Sequence, residues 1–230
     1  MTKQRRVPMV ERMSLWQRVV HGILILAILM LVVSGLALVY HQHGWAQALI
    51  AAMGGLGGRA VVHKAGAVLL VLVGLSHLLS LMVSPRYRRD MRESVPRLSD
   101  LRQGWSGVLW RTTGKGQPPR YGRFTPMQKF QYWGLLACCL VMGASGAVLW
   151  SPQASVGLLS KRFVDLMLVV HSSQAQVIFI LFILWHLYDI HLAGGNFPMN
   201  PAWLTGKMRE DLFKAQHGAE WDAMQKGTKE

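Results

Sequence analysis

Residues 169–191 read VVHSSQAQVIFILFILWHLYDIH, and the reading of this stretch decides the fold. It is apolar enough to lie in lipid, where about 20 such residues cross the hydrocarbon as a helix. Yet it holds His171, His186 and His191. An ionisable side chain at membrane depth is costly unless it is paired, so such residues are functional candidates once a partner is named.

Three further blocks of the same kind precede it. Spans are predicted at about 19–40, 63–83, 127–150 and 165–188, which makes an all-α integral membrane protein, an up-down four-helix bundle and one domain over 1–230. The chain is 51% apolar and 16% charged, with a formal charge of +14. That charge would suit nucleic acid if it were spread over a soluble face. Instead Arg86, Arg88, Arg89, Arg92, Arg97, Arg102, Arg111, Lys115, Arg120 and Arg123 fill the connection at 85–124, and Lys3, Arg5, Arg6, Arg12 and Arg18 fill the N-terminus. Basic residues accumulate on the cytoplasmic side of membrane proteins. Both termini, the basic loop at 85–124 and the tail at 193–230 are therefore expected in the cytoplasm of a bacterium, with the protein multi-pass in the inner membrane. A nucleic-acid partner is not expected, whereas anionic membrane lipid suits the basic loop. The first apolar run is too long for a signal-peptide core, so no cleavage is expected. Cys138 and Cys139 are adjacent in mid-span and say nothing of redox compartment.

Ser14-Leu15-Trp16-Gln17 and Thr125-Pro126-Met127-Gln128 have the capping-box form that starts a helix. The loop at 85–124 holds helix-compatible pieces, RRDMRESV and SDLRQGWSGVLWR. The tail from Lys207 reads as a short amphipathic or frayed helix in water. No second core is predicted.

On the fourth span His171 and His186 are fifteen residues apart, which is about 22 Å along a helix and about 60° around it. The antiparallel second span carries His63 at the depth of His171 and His77 at the depth of His186, and the first span adds His21 near the cytoplasmic end. Five histidines on three helices thus sort into two layers. A cofactor that takes two neutral imidazoles in an apolar slot is haem, and two haems stacked across the bilayer would form an electron path. Gly22, Gly35, Gly66, Gly74, Gly143 and Gly146 either leave room for a macrocycle or let helices pack closely. Arg18, Arg59, Lys64 and Arg162 sit at depths where propionates would emerge, or where plain interfacial anchors would lie. By geometry alone either His21 or His77 suits His186. His41, His43 and His217 have no partner in this scheme and are expected at the surface.

The strings QRVVHGILILAILMLVVSGLAL, GRAVVHKAGAVLLVLVGLSHLL, YGRFTPMQKFQYW, GASGAVLWSP and VVHSSQAQVIFILFILWHLY together resemble the di-haem membrane cytochromes b of formate dehydrogenases (the gamma subunit) and nickel-iron hydrogenases. FPMNPAWLTGKM further resembles cytochrome b/b6-like subunits that accompany multihaem cytochromes c. The resemblance implies a periplasmic-side haem b on His63 and His171 and a cytoplasmic-side haem b on His21 and His186. It leaves His77 as a rival ligand or a quinone-site residue, and it puts quinone beside the second haem, near Thr125, Gln128 and Lys129. The fourth-span spacing is one residue longer than in the formate dehydrogenase relatives.

The resulting expectation is a two-haem membrane subunit of a larger respiratory redox complex. It would pass electrons between a periplasmic partner, either an iron-sulfur subunit or a multihaem cytochrome c, and menaquinone or ubiquinone. Asp189 and His191 could relay protons at the quinone end. No independent substrate chemistry is expected, because no nucleotide motif, cysteine cluster or nucleophile arrangement is present. The rival is a haem-free anchor, or a transporter of protons or metal. Transporters favour helices broken at the midplane, and these four spans contain no internal proline.

Overall fold

A computed structural model of the chain describes residues 8–117, 119–192 and 197–227. Twelve α-helical segments, one π-helical segment and a two-stranded antiparallel ribbon make up the described residues. Three helices are long and apolar enough to cross a membrane: α1 (Leu15–Val39), α3 (Gly55–Val83) and α6 (Pro126–Val148). The fourth apolar run folds as α8 (Lys161–Ile178), a π-helical segment (Phe179–Leu184) and α9 (Trp185–His191), which follow one another without a break. The apolar runs become helices for the reason that hydrocarbon demands: every backbone group must be satisfied within the segment.

The helix starts follow their caps. At α1 the Ser14 N–H donates to Gln17 Oε1 at 2.8 Å while the Gln17 N–H donates to Ser14 Oγ at 3.2 Å. At α6 Thr125 and Gln128 make the same exchange at 3.0 and 3.2 Å. Shorter helices fill the connections: α2 (Gly44–Ala52), α4 (Pro85–Ser94), α5 (Leu98–Thr113) and α7 (Pro152–Leu158). The chain divides into two compact units.

One unit comprises residues 19–78 and 135–189. Its helices meet at small residues. A Cβ on Gly66 of α3 would lie 3.0 Å from Met30 Cβ and 3.1 Å from Leu31 Cγ of α1, and Ala27 and Ser34 of α1 are fully buried. Gly66 therefore serves close packing, the plainer of its two readings. The outward surface is apolar, with Val71, Leu75 and Leu78 all exposed on α3. Large contiguous apolar surface is rare on proteins that face water.

The other unit comprises the chain up to Arg18, Leu79–Gly134 and the chain from Ile190 onward. Here, of the two readings of the tail, a short amphipathic or a frayed helix, the frayed one is overturned. Strand β1 (Met9–Glu11) pairs antiparallel with β2 (Lys207–Arg209), Val10 opposite Met208. After α10 (Ala202–Thr205) and before β2 the chain turns at Gly206, whose φ of +80° is cheap only for glycine. Its carbonyl accepts from the N–H groups of Arg12 and Met13. Beyond β2, α11 (Glu210–Gln216) and α12 (Gly218–Gly227) bring in Phe213 and His217, 1% and 2% exposed. His217 is thus buried, not at the surface. The Arg12 guanidinium stacks 5.1 Å over the Phe213 ring and pairs with Glu220 at 2.5 Å. Arg123 reaches Glu220 at 3.1 Å and donates through Nη2 to Asp90 at 2.9 Å. Its Nε also lies 2.7 Å from Asp90 Oδ1 but out of line for a hydrogen bond, so that contact is Coulombic. Burial desolvates all four charges, and each has an opposite partner, the condition under which buried charge is tolerated.

Candidate functional site

The His63 ring of α3 faces the His171 ring of α8, with centroids 6.2 Å apart and planes at 66°. Each ring is held from behind by a serine. Ser34 Oγ of α1 lies 2.9 Å from His63 Nδ1, and Ser145 Oγ of α6 lies 3.0 Å from His171 Nδ1. Each hydroxyl also donates back along its own helix, Ser34 to Met30 O at 2.5 Å and Ser145 to Val141 O at 2.8 Å. A serine has one proton to give. With that proton on a carbonyl, the oxygen accepts from the imidazole, so Nδ1 carries the hydrogen on both histidines. Each Nε2 keeps its lone pair, the form in which imidazole binds a metal. Glycine follows each serine: a Cβ on Gly146 would press within 3.2 Å of His171 Cε1, whereas one on Gly35 would stand 3.5 Å from His63 Cε1, in ordinary contact.

The second pair is His21 of α1 and His186 of α9, with centroids 6.4 Å apart and planes at 63°. His21, His63 and His171 are half-buried and His186 is more open. The ring that the structure sets against His186 is thus His21, while His77 lies half-buried farther along α3. Two imidazole nitrogens on one metal ion, at about 2.0–2.1 Å each, put the ring centres about 6 Å apart once the ring radii of about 1 Å are added. Both pairs have that separation. Among the described residues no group of three or more His, Cys, Asp or Glu gathers as a metal site, so the intramembrane donors come as pairs.

The residues match the family model described as prokaryotic cytochrome b561 over positions 12–193. The chain belongs to the prokaryotic cytochrome b561 family. It is therefore a membrane haem b protein of electron transfer. A comparison with curated proteins finds no match. Paired neutral imidazoles between apolar helices fit haem b, which takes axial nitrogen ligands. The flanking charges fit as well. Arg59, one turn before His63, donates through Nη1 to Ser34 O at 3.3 Å, and Arg18 donates to Leu204 O at 2.7 Å. The Nε of each is buried without a hydrogen bond, a donor suited to a carboxylate. Lys64 sits 5.1 Å from the Trp150 ring centroid, and Arg162 is exposed.

The three positions expected near quinone also have structural work. Thr125 and Gln128 satisfy each other in the α6 cap. Lys129 is buried and pairs with Asp100 of α5 at 2.9 Å. Burial would raise the Asp100 carboxyl, but the Arg97 N–H and the Lys129 ammonium outweigh it and hold it below the usual carboxylate range. His191 Nδ1 lies 3.0 Å from Pro198 O, and His41 and His43 are exposed. The functional residues that sequence reasoning missed are Ser34 and Ser145. A signal existed: Ser-Gly occurs in the first and third spans, and Val-Val-His in the first, second and fourth, so a Ser-Gly span precedes the Val-Val-His of His63 and again that of His171.

Proposed function

We propose that this cytochrome b561 family member carries two b haems, one between His63 and His171 and one between His21 and His186, and relays electrons between a periplasmic redox partner and quinone. The observation that carries the reading is the pair of facing imidazoles found twice, at 6.2 and 6.4 Å. The fifteen residues from His171 to His186 separate the pairs by about 20 Å of helix, most of the roughly 30 Å hydrocarbon thickness. Bound haem supplies reversible one-electron exchange. The chain supplies neutral nitrogen donors with a fixed tautomer at His63 and His171, an apolar surround that excludes water, and the Arg59 and Arg18 guanidiniums as partners for carboxylates.

By the distribution of Lys and Arg, the His21–His186 end is the cytoplasmic one and the termini share that side. We place quinone exchange at that end, reached from the bilayer, with Asp189 and His191 beyond His186 positioned to pass protons. Substrate chemistry belongs to a partner subunit at the His63–His171 end. The experiment is haem stoichiometry by pyridine haemochrome in purified single variants. The unaltered chain should hold two b haems. His63→Ala and His171→Ala should lose the same haem, His21→Ala and His186→Ala the other, and His77→Ala neither. Loss in His77→Ala with retention in His21→Ala would reverse the second pairing, and absence of any b-type band in reduced-minus-oxidised spectra would end the haem reading. Reduction by quinol in vesicles and co-purification of the partner test the remaining steps.

A further inference from the structure

Helix α5 carries an apolar stripe that the described residues leave exposed. Leu98 is 87% exposed, Leu101 74% and Trp105 66%, with Val108 also exposed. At 100° per residue these four fall within an arc of about 80°. A different face of the helix does the packing. Asp100 pairs with Lys129 in the first turn of α6, Gly104 lies against Pro126, and a Cβ on Gly107 would overlap the Tyr121 hydroxyl. A third face is exposed and mostly polar, with Gln103 and Ser106 and, at its far end, Trp110.

The packing face fixes the depth of the helix. It grips residues 126 and 129, where the spanning helix α6 begins, so α5 runs at the level where α6 enters the bilayer. Close beside this contact, Met127 and Phe130 of α6 expose their own apolar side chains. The exposed charge near the stripe is mainly basic, with Glu11 beside Arg86 and half-buried Glu93 as its acidic members. Arg86, Arg88, Arg89, Arg92, Arg97 and Arg102 are exposed, whereas Asp90 and Asp100 are turned inward onto Arg123 and Lys129. Aromatic and basic residues flanking an apolar face are the signature of a helix that lies in the membrane interface.

We propose that α5 is an interfacial helix, immersed at the boundary of headgroups and acyl chains with Leu98, Leu101, Trp105 and Val108 in lipid, and that the arginines around it bind anionic headgroups. The inference does not rest on the haem reading. The test uses the full-length protein with Cys138 and Cys139 replaced by serine, in nanodiscs containing phosphatidylglycerol. A nitroxide is placed at Leu101→Cys or Trp105→Cys on one face and at Gln103→Cys or Ser106→Cys on the other, and each sample is checked as monodisperse. The ratio of oxygen to nickel-chelate accessibility should be several-fold higher at 101 and 105 than at 103 and 106. Nickel accessibility at 101 and 105 equal to that at 106 would mean a stripe in water and would overturn the proposal. Labels at 101 and 105 shielded from both reagents would mean a protein partner on the stripe and would overturn it equally. Should either apolar-face variant fail to fold, Leu98→Cys and Val108→Cys report on the same face.

Discussion

Ser34 and Ser145 each have one hydroxyl proton, and its donation to a carbonyl of the preceding turn determines what the neighbouring histidine must do. An Nδ1–H held by an acceptor makes Nε2 a stronger donor and keeps the ring from turning. Ser34→Ala removes the hydroxyl acceptor from the His63 Nδ1–H and leaves it the weaker contact with the Leu31 carbonyl, a loss of about 1 kcal/mol. The expected outcome is a haem that remains bound but is easier to reduce. Its midpoint potential should rise by some tens of millivolts, since a tenfold change in relative affinity of the two oxidation states is about 59 mV for one electron. Ser145→Ala should act on the same haem, and Ser34→Thr, which keeps the hydroxyl, should restore the potential. A redox titration in which Ser34→Ala matches the unaltered protein would remove the serine from this role. The histidines were legible in the sequence because imidazole is conspicuous in an apolar run. The serines were not, because small residues recur in membrane helices for packing alone, and only the 2.9 and 3.0 Å approaches to Nδ1 separate the two uses.

Among the elements, the π-helical segment Phe179–Leu184 lies between His171 and His186. A π-bulge is one residue inserted into an α-helix. It accommodates one residue more than the α-helical phase between the two histidines needs. Counted as fourteen α-helical steps instead of fifteen, His186 stays within about 40° of the direction of His171. Deleting Ile183 should therefore turn the segment into ordinary α-helix and leave two haems per chain. Inserting one alanine after Ile183 adds about 100° of rotation and should lose the haem on His186 while keeping the one on His171. Retention of both haems in the insertion variant, measured as pyridine haemochrome per chain, would show that the segment does not set the phase. Hydropathy revealed the apolar runs and the two capping boxes placed the starts of α1 and α6, but an i→i+5 turn has no apolar signature to read. Likewise α3 begins eight residues before the predicted span, since its first turns at Gly55 are too small and polar to register as lipid-crossing.

At the scale of the whole molecule, residues 8–13 and 201–227 are bound into one structure, and His217 is central to it. Its Nδ1 lies 2.7 Å from Gly122 O, an atom that only accepts, and its Nε2 lies 3.5 Å from Arg12 Nη2, which only donates. The ring is therefore neutral, with hydrogen on Nδ1. A second proton would sit on Nε2 facing a guanidinium. Burial first, and Arg12 next, push the imidazole down to about 4 from its ordinary 6.5. The sign follows from linkage: between those values a released tail takes up a proton that the docked tail refuses, so docking weakens as pH falls, by up to about 1.4 kcal/mol per pH unit. No such loss arises above pH 6.5. This dependence was hidden in the sequence because His217 has no intramembrane context and the two groups that face its ring nitrogens, Arg12 and Gly122, are far away along the chain. Limited proteolysis of the purified protein should cut the region around α11 and α12 slowly at pH 7.5 and much faster at pH 5. In His217→Asn the amide still donates to Gly122 O but does not titrate over this range, so the cleavage rate should lose most of its pH dependence relative to a peptide control that corrects for the protease itself. A His217→Asn protein that opens as steeply with acid as the unaltered chain would remove His217 from this role, although the ion pairs of Arg12 and Arg123 with Glu220 and Asp90 complete the same buried cluster.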